Sequence, residues 1–74
     1  MTALERVADL TAEIERAEDA RAREVARAVH HGATWTEIGA ALGVTAQSAH
    51  RRFRWLRWDP VTQRHWSEPP LPLR

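Results

Sequence analysis

The sequence predicts an all-α fold: a long N-terminal helix over residues 2–31, two short helices around a tight turn, and an irregular Trp/Pro-rich C-terminal tail. Three observations predict it. Residues 2–31 are rich in Ala, Glu and Arg, all good helix formers, and no Gly or Pro interrupts them. Residues 34–57 carry two apolar stripes at helical spacing, separated by Gly43. All four prolines lie at residue 60 or later, and Pro69, Pro70 and Pro72 forbid a regular helix at the end.

The chain has 74 residues and a mass of 8.5 kDa. It divides into an N-terminal helix (1–31), a two-helix unit (32–58) and a tail (59–74). At this size a roomy buried pocket is hard to build, which argues against an enzyme. Cysteine is absent, so no disulfide and no thiolate metal site can brace the core. No apolar run approaches the roughly 20 residues of a membrane span. The N-terminus lacks the basic-then-apolar order of a signal peptide. The expectation is a cytoplasmic protein with no membrane partner.

The first helix has a capping-box pair at Thr2 and Glu5 and a helix-ending glycine at Gly32. Val7, Leu10, Ile14 and Ala17 follow the 3-4-3 spacing of a short coiled-coil seam, a candidate dimerisation element. Ala22, Val25, Ala26 and Val29 follow the broader stripe of a helix packed on a core. The phase changes near Glu18–Arg21. A straight helix would be about 43 Å long, which is long for so small a domain. Two arrangements stay open. The helix bends or breaks near Asp19 and folds back as a hairpin, or its first half projects and packs on another chain.

The second helix covers residues 34–42, with Thr34 and Glu37 as a further capping-box pair and Ile38 and Leu42 on one face. Gly43 makes the turn, and Thr45 caps a third helix that runs to about Arg57. Ala49, Phe53 and Leu56 form its apolar stripe, which Trp55 widens. Asp59-Pro60 ends the helical region. In the tail, Val61–Trp66 has the length of one short strand, too little for a hairpin. Trp66 with Leu71 or Leu73 could fold back over the helices.

Charge is unevenly spread. Residues 1–24 hold seven acids and four Arg, a net of −3; residues 25–74 hold seven Arg and three acids, a net of +4. Arg51, Arg52, Arg54 and Arg57 fall within seven residues with no acid among them. That asymmetry suits a basic face for a polyanion beside a mixed-charge first helix.

The run from Trp35 to Arg54, WTEIGAALGVTAQSAHRRFR, resembles the helix-turn-helix of small actinobacterial DNA-binding proteins and the region 4-like helix-turn-helix of sigma factors. Gly39 is small where the helices cross, Gly43 makes the turn, and Ile38, Leu42, Val44, Ala49 and Phe53 fill the space between them. Arg52 departs from the pattern, because an apolar residue often stands there; Phe53 takes the inward role instead. The resemblance covers roughly a third of the chain. It implies duplex DNA binding with the third helix in the major groove.

On that implication the outward residues are Ala46, Gln47, His50, Arg51 and Arg54, following the Thr45 cap. Gln47 suits adenine and Arg51 suits guanine, each in bidentate fashion. Arg52, Arg54 and Arg57 suit phosphates. Thr34, Trp35 and Thr36 open the second helix, whose free N–H groups can hold a backbone phosphate. One recognition helix reads few base pairs, so a homodimer on two half-sites is expected.

Plainer readings stand beside these. An Arg cluster can be a solvated face. Trp35, Trp55, Trp58 and Trp66 suit packing better than base stacking. His30 and His31 are helix neighbours that point apart, and His50 and His65 show no ligand spacing, so no metal and no cofactor is expected. No nucleophile, phosphate-loop or metallohydrolase motif is present, so no catalytic residue is assigned. The alternative function is an interaction module of the same fold that binds RNA polymerase or a partner regulator. The exposed Arg face separates the two: a DNA binder needs it unobstructed, whereas an interaction module tolerates Arg54 and Arg57 paired with acids of its own chain.

Overall fold

Helix α1 spans Ala3–His30 without a break. The computed structural model describes residues 2–69. The Thr2 hydroxyl accepts the Glu5 N–H at 3.1 Å and starts the helix. At its end the Ala33 N–H donates to the Ala28 carbonyl and the Gly32 N–H to the Val29 carbonyl, both at 3.0 Å. Those two bonds form a Schellman ending, with Gly32 at φ +93° in the position its sequence suggests.

α1 neither breaks near Asp19 nor folds back as a hairpin; its first half projects. Its second half packs on the domain through Ala22, Val25, Ala26 and Val29. Its first half stands clear: Leu4 is 81% exposed and Ile14 58%, and Val7 and Leu10 are exposed between them.

Helix α2 spans Trp35–Leu42 and helix α3 Ala46–Phe53. Both capping predictions hold. The Thr34 N–H donates to Glu37 Oε1 (2.9 Å) while the Glu37 N–H donates to Thr34 Oγ1 (3.1 Å), and Thr45 Oγ1 accepts the Ser48 N–H at 3.1 Å. Gly43 ends α2 in a left-handed conformation, φ +76°. A second Schellman pair closes there, with Val44 N–H on the Gly39 carbonyl and Gly43 N–H on the Ala40 carbonyl.

The core is small. Val25, Ile38, Ala49 and Phe53 are buried together, with Trp35, Leu42 and Leu56 packed against them. Val44, expected inside, is exposed. Its backbone makes the turn, so its side chain stands at the mouth of a shallow cleft with Arg21, Ser48 and Arg52.

The fold is not all-α. The third helix stops at Phe53, short of Arg57, and the chain turns through Arg54 and Trp55 into strand β1, Leu56–Asp59. Strand β2, Arg64–Ser67, pairs with it antiparallel, in the register Leu56–Ser67, Arg57–Trp66, Trp58–His65 and Asp59–Arg64. This hairpin takes up residues 56–67, where the end of the third helix and the first part of an irregular tail were expected. Asp59 organises its turn: Oδ1 accepts the Val61 N–H and Oδ2 the Thr62 hydroxyl, both at 2.9 Å. Such side-chain bonds to the following backbone favour a tight reversal.

Trp66 does not fold back over the helices. Strand alternation turns Trp58 and His65 toward α1 and sends Trp66 outward. Trp58 lies under the Arg23 guanidinium, 5.9 Å from the ring centroid, and His65 Nε2 is 3.2 Å from Asp19 Oδ1. Leu71 and Leu73 lie outside the described residues. Among the described residues no helix is long and apolar enough to cross a membrane.

Candidate nucleic-acid interface

The turn between α2 and α3 is tight because Gly39 allows it. A Cβ there would meet the Val44 carbonyl oxygen at 2.8 Å, the Ala46 nitrogen at 3.0 Å and the Thr45 carbonyl carbon at 3.0 Å. With that clearance α3 lies against α2, and Ala49, 0% exposed, fills the contact. Burial of Ala49 and Phe53 sets the rotation of α3. At 100° per residue the opposite side belongs to Gln47, Ser48 and Arg51, with Arg54 continuing the arc past the helix end. All four are exposed.

The expected contact residues divide into three groups. Gln47, Arg51 and Arg54 share the outward arc, next to the exposed cap Thr45. Arg54 stacks its guanidinium on Trp55 at 4.8 Å. His50 and Arg52 sit on the flanks. The His50 ring meets Trp35 edge-on at 5.3 Å, and the Arg52 guanidinium covers Phe53 at 5.0 Å. Ala46 is half-buried. Arg57 is the third case. Its Nη1 donates to the Arg54 carbonyl (3.1 Å) and the Leu56 carbonyl (3.0 Å), and its Nε lies 3.6 Å from Glu68. It braces the α3–β1 turn.

Thr34, Trp35 and Thr36 open α2 as expected. The Glu37 N–H is taken by Thr34, which leaves those of Trp35 and Thr36 as the free donors of the first turn. The Glu37 carboxylate shares this helix end. Its acceptance of the Thr34 N–H, then the Thr34 hydroxyl, hold its pKa below the usual 4.5. A phosphate at this end would have to lie beside that charge.

Among the described residues, ion pairs join Arg27 to Glu24 and Arg57 to Glu68, and His65 lies against the Asp19 carboxylate. Arg51, Arg52 and Arg54 have no carboxylate of the described residues within that reach. Two residues near α3 escaped the sequence reading. Ser48 lies beside Gln47 on the outward side, which helical rotation alone could have indicated. Arg21 comes from α1 to the cleft beside Ser48 and Arg52, and no local spacing signals that.

Neither the comparison with curated proteins nor that with solved structures finds a match. The family model described as ECF sigma factor matches residues 1–68, which takes in α1, the helix-turn-helix and the hairpin. Sigma factors are non-enzymatic transcription factors, so the match supports a role in DNA binding and transcription. A turn held by Gly39 and Gly43, an Arg-bearing recognition arc and a match over nearly the whole chain agree, and the protein belongs to the ECF sigma factor family.

Proposed function

We propose that the chain binds duplex DNA sequence-specifically, with α3 in the major groove. One observation carries the reading: Gln47, Arg51 and Arg54 share an exposed arc with no own-chain carboxylate on it. Gln47 reads adenine and Arg51 reads guanine, the pairings their planar donor and acceptor groups favour. Arg54, Arg52 and the Trp35 and Thr36 N–H groups hold phosphates, which fix the register. Thr34, Thr45, Ala46 and His50 line the approach. Arg57 contributes by holding the turn after α3. A DNA-binding role in transcription is compatible with the cytoplasm.

We further propose a homodimer through Val7, Leu10, Ile14 and Ala17. Val7, Leu10 and Ile14 form an exposed apolar seam. A parallel pair sets Glu13 against Glu18 of the second copy, and an antiparallel pair over the same seam sets Glu13 against Glu13 of the second copy. The competing reading takes the same seam as a contact for RNA polymerase or a partner regulator, since this half of α1 is apolar and acidic at once.

Binding of the purified chain to a random-sequence duplex pool at two salt concentrations, followed by sequencing, tests these readings. Steeply salt-dependent retention with an enriched palindrome is expected for the dimer. A single enriched half-site supports the DNA reading and counts against the dimer. No retention at low salt overturns the DNA reading in favour of the protein-interaction module.

A further inference from the structure

The outer face of the hairpin points away from α1. Alternation places Arg57, Asp59, Arg64 and Trp66 on it, while Trp58 and His65 pack on α1. Arg64 stands directly opposite Asp59 in the register and makes no ion pair with it. The two carboxylate oxygens of Asp59 accept instead from the Val61 N–H and the Thr62 hydroxyl of the turn. The other acid nearby, Glu68, is taken by Arg57. Arg64 is therefore exposed and unpaired among the described residues, beside Trp66, which is 45% exposed.

This face is joined to the recognition helix. Arg57 holds the Arg54 carbonyl, and the Glu68 N–H donates to the Trp55 carbonyl at 2.8 Å, so both strands are tied to the turn that leaves α3. Through these bonds Trp66 and Arg64 follow closely on the end of α3.

We propose that the outer face of the β1–β2 hairpin is a second DNA contact. Arg64 holds a backbone phosphate flanking the stretch read by α3, and Trp66 packs on the adjoining sugar. The inference rests on the DNA-binding reading of α3. A phosphate suits Arg64, because among the described residues no ion pair holds its guanidinium. Trp66 supplies apolar contact that a deoxyribose can cover. No base edge is read, so the contact adds affinity and leaves sequence preference unchanged.

The test compares the whole chain with its Arg64→Gln, Trp66→Ala and Arg51→Ala variants on the duplex enriched from the pool, at several salt concentrations. Ethylation interference maps the phosphates. Arg64→Gln is expected to bind several-fold more weakly, to lower the salt slope by about 1, and to lose interference at the flanking phosphate. Trp66→Ala is expected to weaken binding with the slope unchanged. Arg64 is exposed and outside the core, and circular dichroism melts confirm that each variant folds. A parental slope and interference pattern in Arg64→Gln overturns the hairpin contact. Loss of polymerase binding in that variant, with DNA binding unchanged, overturns it in favour of a protein partner. Failure of the α3 reading looks different: Arg51→Ala then binds as the parent does, while Arg64→Gln keeps its effect.

Discussion

Gly39 lies directly under the turn that Val44 opens. Its carbonyl accepts the Val44 N–H at 2.9 Å, and a Cβ on it would come within 2.8 Å of the Val44 carbonyl oxygen. The obstacle is backbone, which cannot swing aside as a flexible side chain can. Gly39→Ala gains roughly 1 kcal/mol of helix propensity, yet overpacking costs about 1–3 kcal/mol, at the upper end against backbone. The expected outcome is a net loss of about 1–2 kcal/mol in urea unfolding. A midpoint at or above the parent's would show that the α2–α3 crossing tolerates a methyl group.

Acid should loosen the two capped turns. Glu37 lies below its ordinary 4.5 because it accepts the Thr34 N–H, and Asp59 below 3.8 because it accepts the Val61 N–H and then the Thr62 hydroxyl. A carboxylate with a lowered folded pKa adds stability that is present above its unfolded value. That stability is lost as pH falls through the folded value. Thermal stability should therefore decline from about pH 5 downward, and more shallowly in the Glu37→Gln, Asp59→Asn double variant. Both groups are exposed, so the difference is small. A double variant with the parent's acid profile would remove these two bonds from the account.

Local signals made the helical part legible. The Thr-x-x-Glu pair at Thr34 named a cap whose two bonds are both present, and Gly32 and Gly43 named two helix ends of positive φ. The hairpin was hidden by an ambiguity at Leu56. Its spacing from Ala49 and Phe53 fits a helical stripe, and the inward position of a strand fits it equally well. What decides is the pairing of Trp58 with His65 and their seating on Arg23 and Asp19, some 35 to 45 residues away, which no local pattern carries. The committed state of Arg57 was hidden for the same reason, since Glu68 reaches it only across the hairpin.

The division among the arginines predicts distinct mutant behaviour. Arg51→Ala should cost about 1–3 kcal/mol in DNA binding and relax preference at one base pair. Arg54→Ala should weaken binding evenly across sequences and lower the salt slope by about 1. Arg57→Ala should instead lower thermal stability, because it removes two carbonyl bonds at the end of α3. The loss is about 1 kcal/mol, the usual net value of such a bond. Selection on the random pool reads the first two and melting reads the third. An Arg57→Ala variant with the parent's melting point and a reduced salt slope would move Arg57 from brace to phosphate contact.

The exposed half of α1 gives a test of the dimer and of its direction. Leu10 and Ile14 lie outside the core, so replacing both with Asp should leave the melting of the domain intact and abolish self-association. Direction is read from charge. In a parallel pair Glu13→Arg turns its repulsion from Glu18 of the second copy into attraction and strengthens the dimer. In an antiparallel pair over the same seam Glu13→Arg exchanges one like-charge contact across the two-fold axis for another and leaves the association unchanged. Each exposed pair is worth about 0.3–0.5 kcal/mol, and two act together in a symmetric dimer, so sedimentation equilibrium can resolve the change. A parent chain that sediments as a monomer throughout removes the second copy from this seam and leaves it to RNA polymerase or a partner regulator.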